Sequence, residues 1–577
     1  MRIVIDFQGA QTASRFRGIG RYTLALVQGM VRNAGEHEIW LALNGGLEEP
    51  IAGIRAAFDG LIPQERICVF QIPQPAADME PRNAVRHQCA ELLREHFLER
   101  LQPDVVLITS LFEGYTDNAV ATVGAFADGR LTAAILYDLI PYLNPETYLA
   151  SARQQKSYAR KIASLRQAGM LLSISDYARQ EAIDALGLDP ERVVSISTAV
   201  DTSFAPGAPS PASLAAFRDQ FGITRKALMY APGGFDARKN IDGLISAYAL
   251  LPAALRADHQ LVIASKMTEL DRESLTAHAV RAGLNADELV LTGYVSDAML
   301  IDMYRAATLF IFASRHEGFG LPALEAMSCG ALVIGADNSS IPEVIGSAEA
   351  LFDTRSPRAI AGKIEQVLTD PALRERLRAN GRSQAAKFSW DTTARRALHA
   401  LEGQFARHQA ARPDPAQLPR RHAALIAQLA AVPGLAQDES TQQQVAMCLA
   451  AMPDPHAPRQ LLIDVGSVDQ APPAPVLALL ARQHPGWRVE AVCLRCEGGQ
   501  WHYRYARRAA RRWLNQDQAD ALDAPVEVRG GDLFQALAGA PDAVLAAEQA
   551  GLYTHWRALG VVMLGADADP AALMAGA

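Results

Sequence analysis

The 577-residue sequence predicts an α/β protein with two doubly wound, Rossmann-like parallel-sheet domains facing a cleft, followed by a partial C-terminal α/β domain. Three observations carry this. Short apolar runs alternate with helix-length segments, as parallel βαβ units require. The alternation forms two successive series before Phe388. After a proline-rich stretch, Gln460-Leu-Leu-Ile-Asp-Val465 restarts a strand of the same character as Ile3-Val-Ile-Asp-Phe7. The length agrees, because at ~100–200 residues per domain such a chain divides into three or more units.

The first series places strands at 3–7, 39–43, 105–109, 133–137 and 170–174, and defines an N-terminal domain over residues 1–205. The second places them at 227–230, 260–264, 289–292, 309–313 and 332–335, within a domain over 206–387. Ligands of open α/β sheets bind beyond the carboxyl ends of the strands, so the chemistry is expected where the two sheets face each other. A crossing helix is expected over 388–410. Residues 411–455 read as a linker and helical region, because Arg412-Pro-Asp-Pro-Ala-Gln-Leu-Pro419 holds three prolines in eight residues. The last unit, 456–577, places strands at 461–465, 487–492, 503–505 and 525–528, and reads as the first half of another such domain, degenerate or truncated.

Composition narrows the class. With 49% hydrophobic and 20% charged residues and a net charge of −8, the chain has the make-up of compact domains and lacks the basic footprint of a nucleic-acid binder. Six scattered cysteines are no disulfide framework, and Cys493-Leu-Arg-Cys496 without a second ligand pair reads as two free thiols. The N-terminus enters a strand at once, and no run reaches the ~18–20 apolar residues of a membrane span. A cytoplasmic protein is expected.

The most informative stretch is Ser314-Arg-His-Glu-Gly-Phe-Gly-Leu-Pro-Ala-Leu-Glu325-Ala-Met-Ser-Cys-Gly330. It follows an apolar strand and opens a helix. Gly318 and Gly320 allow close backbone approach, Pro322 suits the first turn and Gly330 the end. The free amides of that first turn make an anion site. Glu325 lies roughly 6 Å along the helix axis, while Glu317 precedes the helix. Two carboxylates flanking an anion site can each take a vicinal diol, a hexose on one side and a ribose on the other. In Met229-Tyr-Ala-Pro-Gly-Gly-Phe-Asp-Ala-Arg-Lys-Asn240, Arg238 and Lys239 supply a guanidinium fork and a point charge that can stabilise a leaving diphosphate without metal. No metal or other cofactor is therefore expected. Asp567-Ala-Asp569 is a three-residue pattern that recurs by chance.

These segments resemble glycosyltransferase family 4, whose members have the GT-B fold and use nucleotide-diphosphate sugars with retention at the anomeric carbon. The resemblance covers about residues 1–405. It implies that Glu317 contacts the donor sugar, Glu325 the ribose, and that Gly318, Phe319, Gly320 and Leu321 offer backbone amides. It places Lys239 and Arg238 on the diphosphate. Arg17-Gly-Ile-Gly-Arg-Tyr-Thr23 resembles the family's glycine loop, so Gly18 and Gly20 are expected to approach the donor phosphate and acceptor. As a dinucleotide fingerprint it lacks the third glycine, which disfavours an NAD-dependent oxidoreductase. Tyr137-Asp138 resembles a His-Asp pair. Asp138 would orient the acceptor hydroxyl, whereas Tyr137 leaves the histidine's role unfilled. Tyr294 and Val295 fall in the loop that lines the nucleobase pocket. The implied function is hexose transfer to a glycan or polyprenyl-linked glycan acceptor, with mannose from GDP-mannose the first choice, in surface-polysaccharide synthesis. The non-catalytic alternative is a glycan-binding or scaffold subunit. The basic residues of 153–166 suggest attraction to an anionic acceptor or to the inner membrane face.

Overall fold

The computed structural model describes all residues except 413, 451, 453–457, 498–499, 519–520, 538–540, 566–567 and 577. Three sheets organise the chain. In the first, β1 (Arg2–Asp6), β2 (Glu38–Asn44), β3 (Ile67–Phe70), β4 (Val105–Ile108), β5 (Thr132–Leu136), β6 (Met170–Ser173) and β7 (Val193–Ser195) run parallel in the order β3-β2-β1-β4-β5-β6-β7. In the second, β8 (Lys226–Tyr230), β9 (His259–Ile263), β10 (Leu289–Leu291), β11 (Leu309–Phe312), β12 (Val333–Ala336) and β13 (Leu351–Phe352) are also parallel, in the order β10-β9-β8-β11-β12-β13.

Central strands of such sheets are covered by helices on both faces, so they read as continuous apolar runs. Ile3, Val4 and Ile5 in β1, and Leu309 through Phe312 in β11, are fully buried. That continuity made the ten strands legible in the sequence. The short β3, β7 and β13 were not anticipated. β3 and β13 form sheet edges, and β7 spans three residues at the other edge of the first sheet; such brief pieces give no periodic signal.

In both sheets the strand order reverses beside the first strand, between β1 and β4 and between β8 and β11. These are the switch points at which open α/β sheets bind ligands, because adjacent connections leave to opposite faces and open a crevice. The helix Trp390–His408 returns to the first domain and packs on the helix Gly18–Arg32. A Cβ on Gly29 would stand 3.0 Å from the Trp390 carbonyl oxygen, and Trp390 meets the Tyr22 ring edge-on at 5.2 Å. Gln404 donates to the carbonyls of Arg130 and Thr132, which fixes the far end of that helix to the first domain.

Beyond it, helices Leu418–Ala430 and Glu439–Ala450 pack on the helix Ala84–Arg100. Leu425, Leu429 and Val445 share a buried cluster with Cys89, Leu93 and Phe126. The third sheet joins β14 (Arg459–Asp464), β15 (Trp487–Glu497), β16 (Gln500–Tyr505), β17 (Leu533–Ala536) and β18 (Val562–Leu564) in the order β16-β15-β14-β17-β18, with only β15–β16 antiparallel. The strand expected at 525–528 is not one. Pro525 makes an isolated bridge to Arg504, and Val526 donates to the Tyr503 carbonyl. Its β-branched residues carried the expectation, but the segment meets β16 through a bridge and isolated hydrogen bonds and forms no ladder with it. All six cysteines are free.

Candidate functional site

The loop after β8 and the loop after β11 leave the switch point of the second sheet together. Asp236 accepts a hydrogen bond from the Arg238 amide and opens a single 3-10 turn, Ala237–Lys239. Asn240 closes it in the left-handed region at φ 54° and anchors it by donating to the Ala313 and Thr354 carbonyls. This folding delivers two cations to one carboxylate. Lys239 Nζ lies 2.6 Å from Glu317 Oε1, and Arg238 donates to Glu317 Oε2 at 2.7 Å. Ser314 Oγ adds a third donor at 2.6 Å, and Arg238 also holds the His316 carbonyl. Burial pushes the Glu317 carboxyl up, but Lys239 and Arg238 outweigh it and hold the group below its ordinary value. Lys239 is only 5% exposed, and Glu317 is the carboxylate that pairs with it in this buried position.

Gly320 starts the helix Leu321–Ser328 with φ 106°, a conformation that favours glycine, and Pro322 lies in its first turn. Glu325 sits in the same helix, partly buried, and accepts from the Tyr304 hydroxyl at 3.0 Å. Burial pushes its carboxyl up to about 7, against the pull of Tyr304 and Arg21. The two glutamates therefore differ in charge state around neutrality although they share one motif. The Phe319 side chain is buried against Phe388, ring centroids 5.6 Å apart, so only its backbone remains for the cleft. Ser340 Oγ fixes the Glu317 and Phe319 carbonyls.

The first domain closes on this segment. A Cβ on Gly318 would stand 2.5 Å from the Tyr137 carbonyl oxygen and 3.2 Å from the Asp138 Cβ, so the glycine permits the contact between domains. Asp138 is raised by burial, lowered by Arg238 and raised again by Glu317, which places the three groups within electrostatic reach of one another. Ser175 Oγ donates to the Gly318 carbonyl at 2.6 Å. Glu343 accepts from the Asp176 and Tyr177 amides, and Glu181 meets His316 at 2.8 Å. Sequence reading missed this clamp, because Ser175, Glu181 and Glu343 meet their partners only across the domain boundary.

Other expected residues lie where their elements put them. Gly18 faces Leu321 across the cleft, a Cβ there meeting its Cδ1 at 4.0 Å. Gly20 is buried against its own chain, where a Cβ would stand 2.2 Å from the Arg15 Cα, so local packing accounts for that glycine. Tyr294 is 75% exposed and Val295 partly buried, just before a helix whose Asp297 pairs with Arg21 of the first domain at 3.0 Å. Tyr137 donates its hydroxyl to the Thr109 carbonyl and is tied into the first domain. Three basic residues of the helix Ala152–Gln167 are engaged by the rest of the first domain: Arg153 donates to the Asp78 carbonyl, Arg160 pairs with Glu91 and buried Lys161 donates to the Ala121 carbonyl. Asp567 lies outside the described residues. Among the described residues no three His, Cys, Asp or Glu side chains gather as metal ligands, and no helix is long and apolar enough to cross a membrane.

Two facing parallel-sheet domains, with the site at their strand ends, form the GT-B architecture of glycosyltransferases. Residues 215–384 match the family model described as "Glycosyl transferases group 1". The chain is similar to the serotype-specific mannosyltransferase WbdA of Escherichia coli, 36% identical over 402 residues that cover 70% of this chain and 48% of that protein. It is also similar to the O-antigen chain mannosyltransferase B of Escherichia coli, 34% identical over 41% of this chain and 62% of that protein. The chain thus spans about half the length of the WbdA relatives it matches. In fold it resembles Anabaena Alr3699/HepE, solved in complex with UDP, at TM-score 0.50 and 16% identity over 70% of this chain and 99% of that one.

Proposed function

We propose that this protein is a retaining mannosyltransferase that transfers mannose from GDP-mannose to a glycan or polyprenyl-linked glycan acceptor in surface-polysaccharide synthesis. The observation that carries the reading is the carboxylate of Glu317 held between Lys239 and Arg238 at the mouth of a helix start, with Asp138 facing it from the other domain. The mannosyl relatives support the choice of sugar.

In this reading the donor diphosphate shares Lys239 and Arg238 with Glu317 and takes the first-turn amides of the helix Leu321–Ser328, so negative charge on the departing diphosphate is met by cations already in place. Glu317 accepts from hydroxyls of the sugar, Glu325 from those of the ribose, and Tyr294 and Val295 border the base. Asp138 orients the attacking hydroxyl, and the leaving diphosphate takes its proton on the same face. Clamping by Ser175, Glu181 and Glu343 excludes water while the bond forms. The setting in this reading is cytoplasmic.

A screen of GDP-, UDP- and dTDP-sugars with α-mannoside acceptors, read as nucleotide release and as the anomeric configuration of the product, tests it. GDP-mannose turnover giving an α-product is expected, with activity undiminished by a chelator. Turnover of a different sugar nucleotide alone would overturn the donor assignment, and an inverted product would overturn retention.

A further inference from the structure

Asp236, Arg238 and Glu317 form one line of contacts in the second domain, and a side chain of the first domain extends it. After β5 the backbone passes Asp138 and makes two single-turn helices, Ile140–Leu143 and Pro145–Tyr148. Asn144, Glu146 and Thr147 are exposed there, while Tyr148 is half-buried and reaches the other domain. Its hydroxyl donates to Asp236 Oδ1 at 3.1 Å. Burial and that carboxylate both raise the phenol, so it keeps its proton and remains a donor.

Asp236 Oδ1 has a second task. It accepts from the Arg238 amide at 3.3 Å, which opens the turn Ala237–Lys239, and it lies 3.2 Å from Arg238 Nε. At its other end the same guanidinium gives Nη1 to Glu317 Oε2 at 2.7 Å and to the His316 carbonyl at 2.8 Å. A planar guanidinium gripped at Nε and at Nη1 is held in one orientation. The Asp236 side chain is 33% exposed, so without the Tyr148 hydroxyl it is free to turn toward solvent and release Nε. The other contacts between the domains end elsewhere: Ser175 on the Gly318 carbonyl, Glu343 on the Asp176 and Tyr177 amides, Glu181 on His316. Tyr148 ends on the carboxylate that orients Arg238.

Resting on the reading of the cleft as a glycosyltransferase site, we propose that Tyr148 is a positioning residue for the transfer: through Asp236 it fixes the Arg238 guanidinium against the leaving diphosphate, and it does so only while the first domain is closed on the second. Arg238 touches the diphosphate in that reading, and Tyr148 touches neither donor nor acceptor. The contact couples closure to charge stabilisation. A donor bound to the open protein meets an unfixed guanidinium and is not cleaved, whereas closure completes the cation's orientation at the moment water is excluded.

The test uses the full chain with GDP-mannose and methyl α-mannoside. Tyr148→Phe removes the hydroxyl and keeps the ring. The expected result is a fall of roughly tenfold in kcat, for transfer and for donor hydrolysis alike, the size of one hydrogen bond to a charged group. Donor Kd by calorimetry, acceptor KM and melting temperature should stay close to those of the unaltered chain. In Arg238→Lys, which keeps the charge but lacks the fork, adding Tyr148→Phe should cost nothing further, since the group it orients is gone. Additive losses in the double variant overturn the proposal, because the effect of Tyr148 would then run through another group. An unchanged kcat in Tyr148→Phe also overturns it. So does a weaker donor Kd together with a larger radius of gyration by small-angle scattering, which would make the contact a clamp between domains and nothing more. These outcomes leave the reading of the cleft standing; if the unaltered chain turns over no nucleotide sugar, that reading fails first and the positioning role fails with it.

Discussion

Glu317 and Glu325 belong to one sequence motif, but their surroundings give them different work. Glu317 is compensated by two cations and stays ionised through the neutral range, while burial leaves Glu325 at about 7. Replacing Glu317 by Gln strands the buried Lys239, and breaking a buried pair costs about 3–5 kcal/mol. Glu317→Gln should therefore lower the melting temperature and slow transfer by roughly 100-fold, a size typical of losing one transition-state contact. Added nucleotide diphosphate should restore part of the lost stability by replacing the missing anion, as thermal denaturation with and without ligand would show. Glu325→Ala should instead weaken donor binding with little change in melting temperature. Donor affinity itself should respond to pH. A carboxylate accepts ribose hydroxyls better when charged, so affinity should rise about tenfold from pH 6 to pH 8 as Glu325 ionises. Calorimetric titration of donor across that window should show the rise in the unaltered chain and a flat profile in Glu325→Gln. A rise that survives the substitution would assign the titration to another group.

At the scale of elements, the site depends on two loops from one sheet and a clamp from the other. Gly318 lies where these meet. Gly318→Ala would press a methyl group to 2.5 Å from the Tyr137 carbonyl oxygen, and the cheapest relief is separation of the domains. The variant should fold, since Gly318 has an ordinary backbone conformation, yet lose most of its transfer activity and show a larger radius of gyration by small-angle scattering. Glu343→Gln, which weakens the two amide contacts at the start of the helix Asp176–Leu186, should open the molecule less and raise donor KM modestly. If both variants scatter like the unaltered chain, the clamp does not set the closure.

For the whole molecule, the question is what the residues after the crossing helix contribute. Every residue assigned to the donor precedes residue 410, so a chain ending there is expected to bind donor. The structure adds a condition. The helices Leu418–Ala430 and Glu439–Ala450 cover Cys89, Leu93 and Phe126 of the first domain, and Arg421 pairs with buried Glu99. The third sheet is docked separately, with buried Arg55 donating to the Ala558 and Leu559 carbonyls. A chain ending near residue 450 should thus melt higher than one ending near 410, while both bind donor with similar affinity. Loss of donor binding in a folded chain ending near 450 would show that the third sheet helps to build the site.

The sequence by itself determined the two parallel sheets, through unbroken apolar runs at their central strands. It also determined the helix start proposed above to hold the donor, because glycines, a proline and two flanking carboxylates are encoded within seventeen consecutive residues. Contacts made within one loop or one strand–helix unit are legible in this way, since local spacing fixes them. Only the tertiary structure decided the rest. The pairing of Glu317 with Lys239 and Arg238 joins residues nearly eighty positions apart, and the clamp of Ser175, Glu181 and Glu343 joins two domains. The same holds for Gly20, which reads as a ligand-facing glycine in the motif but is buried against Arg15 in the fold. For Glu325, the sequence supplies the carboxyl, but its ordinary value is displaced by burial beside Tyr304. Burial and cross-domain distance are properties of the packed chain, and no spacing along the sequence records them.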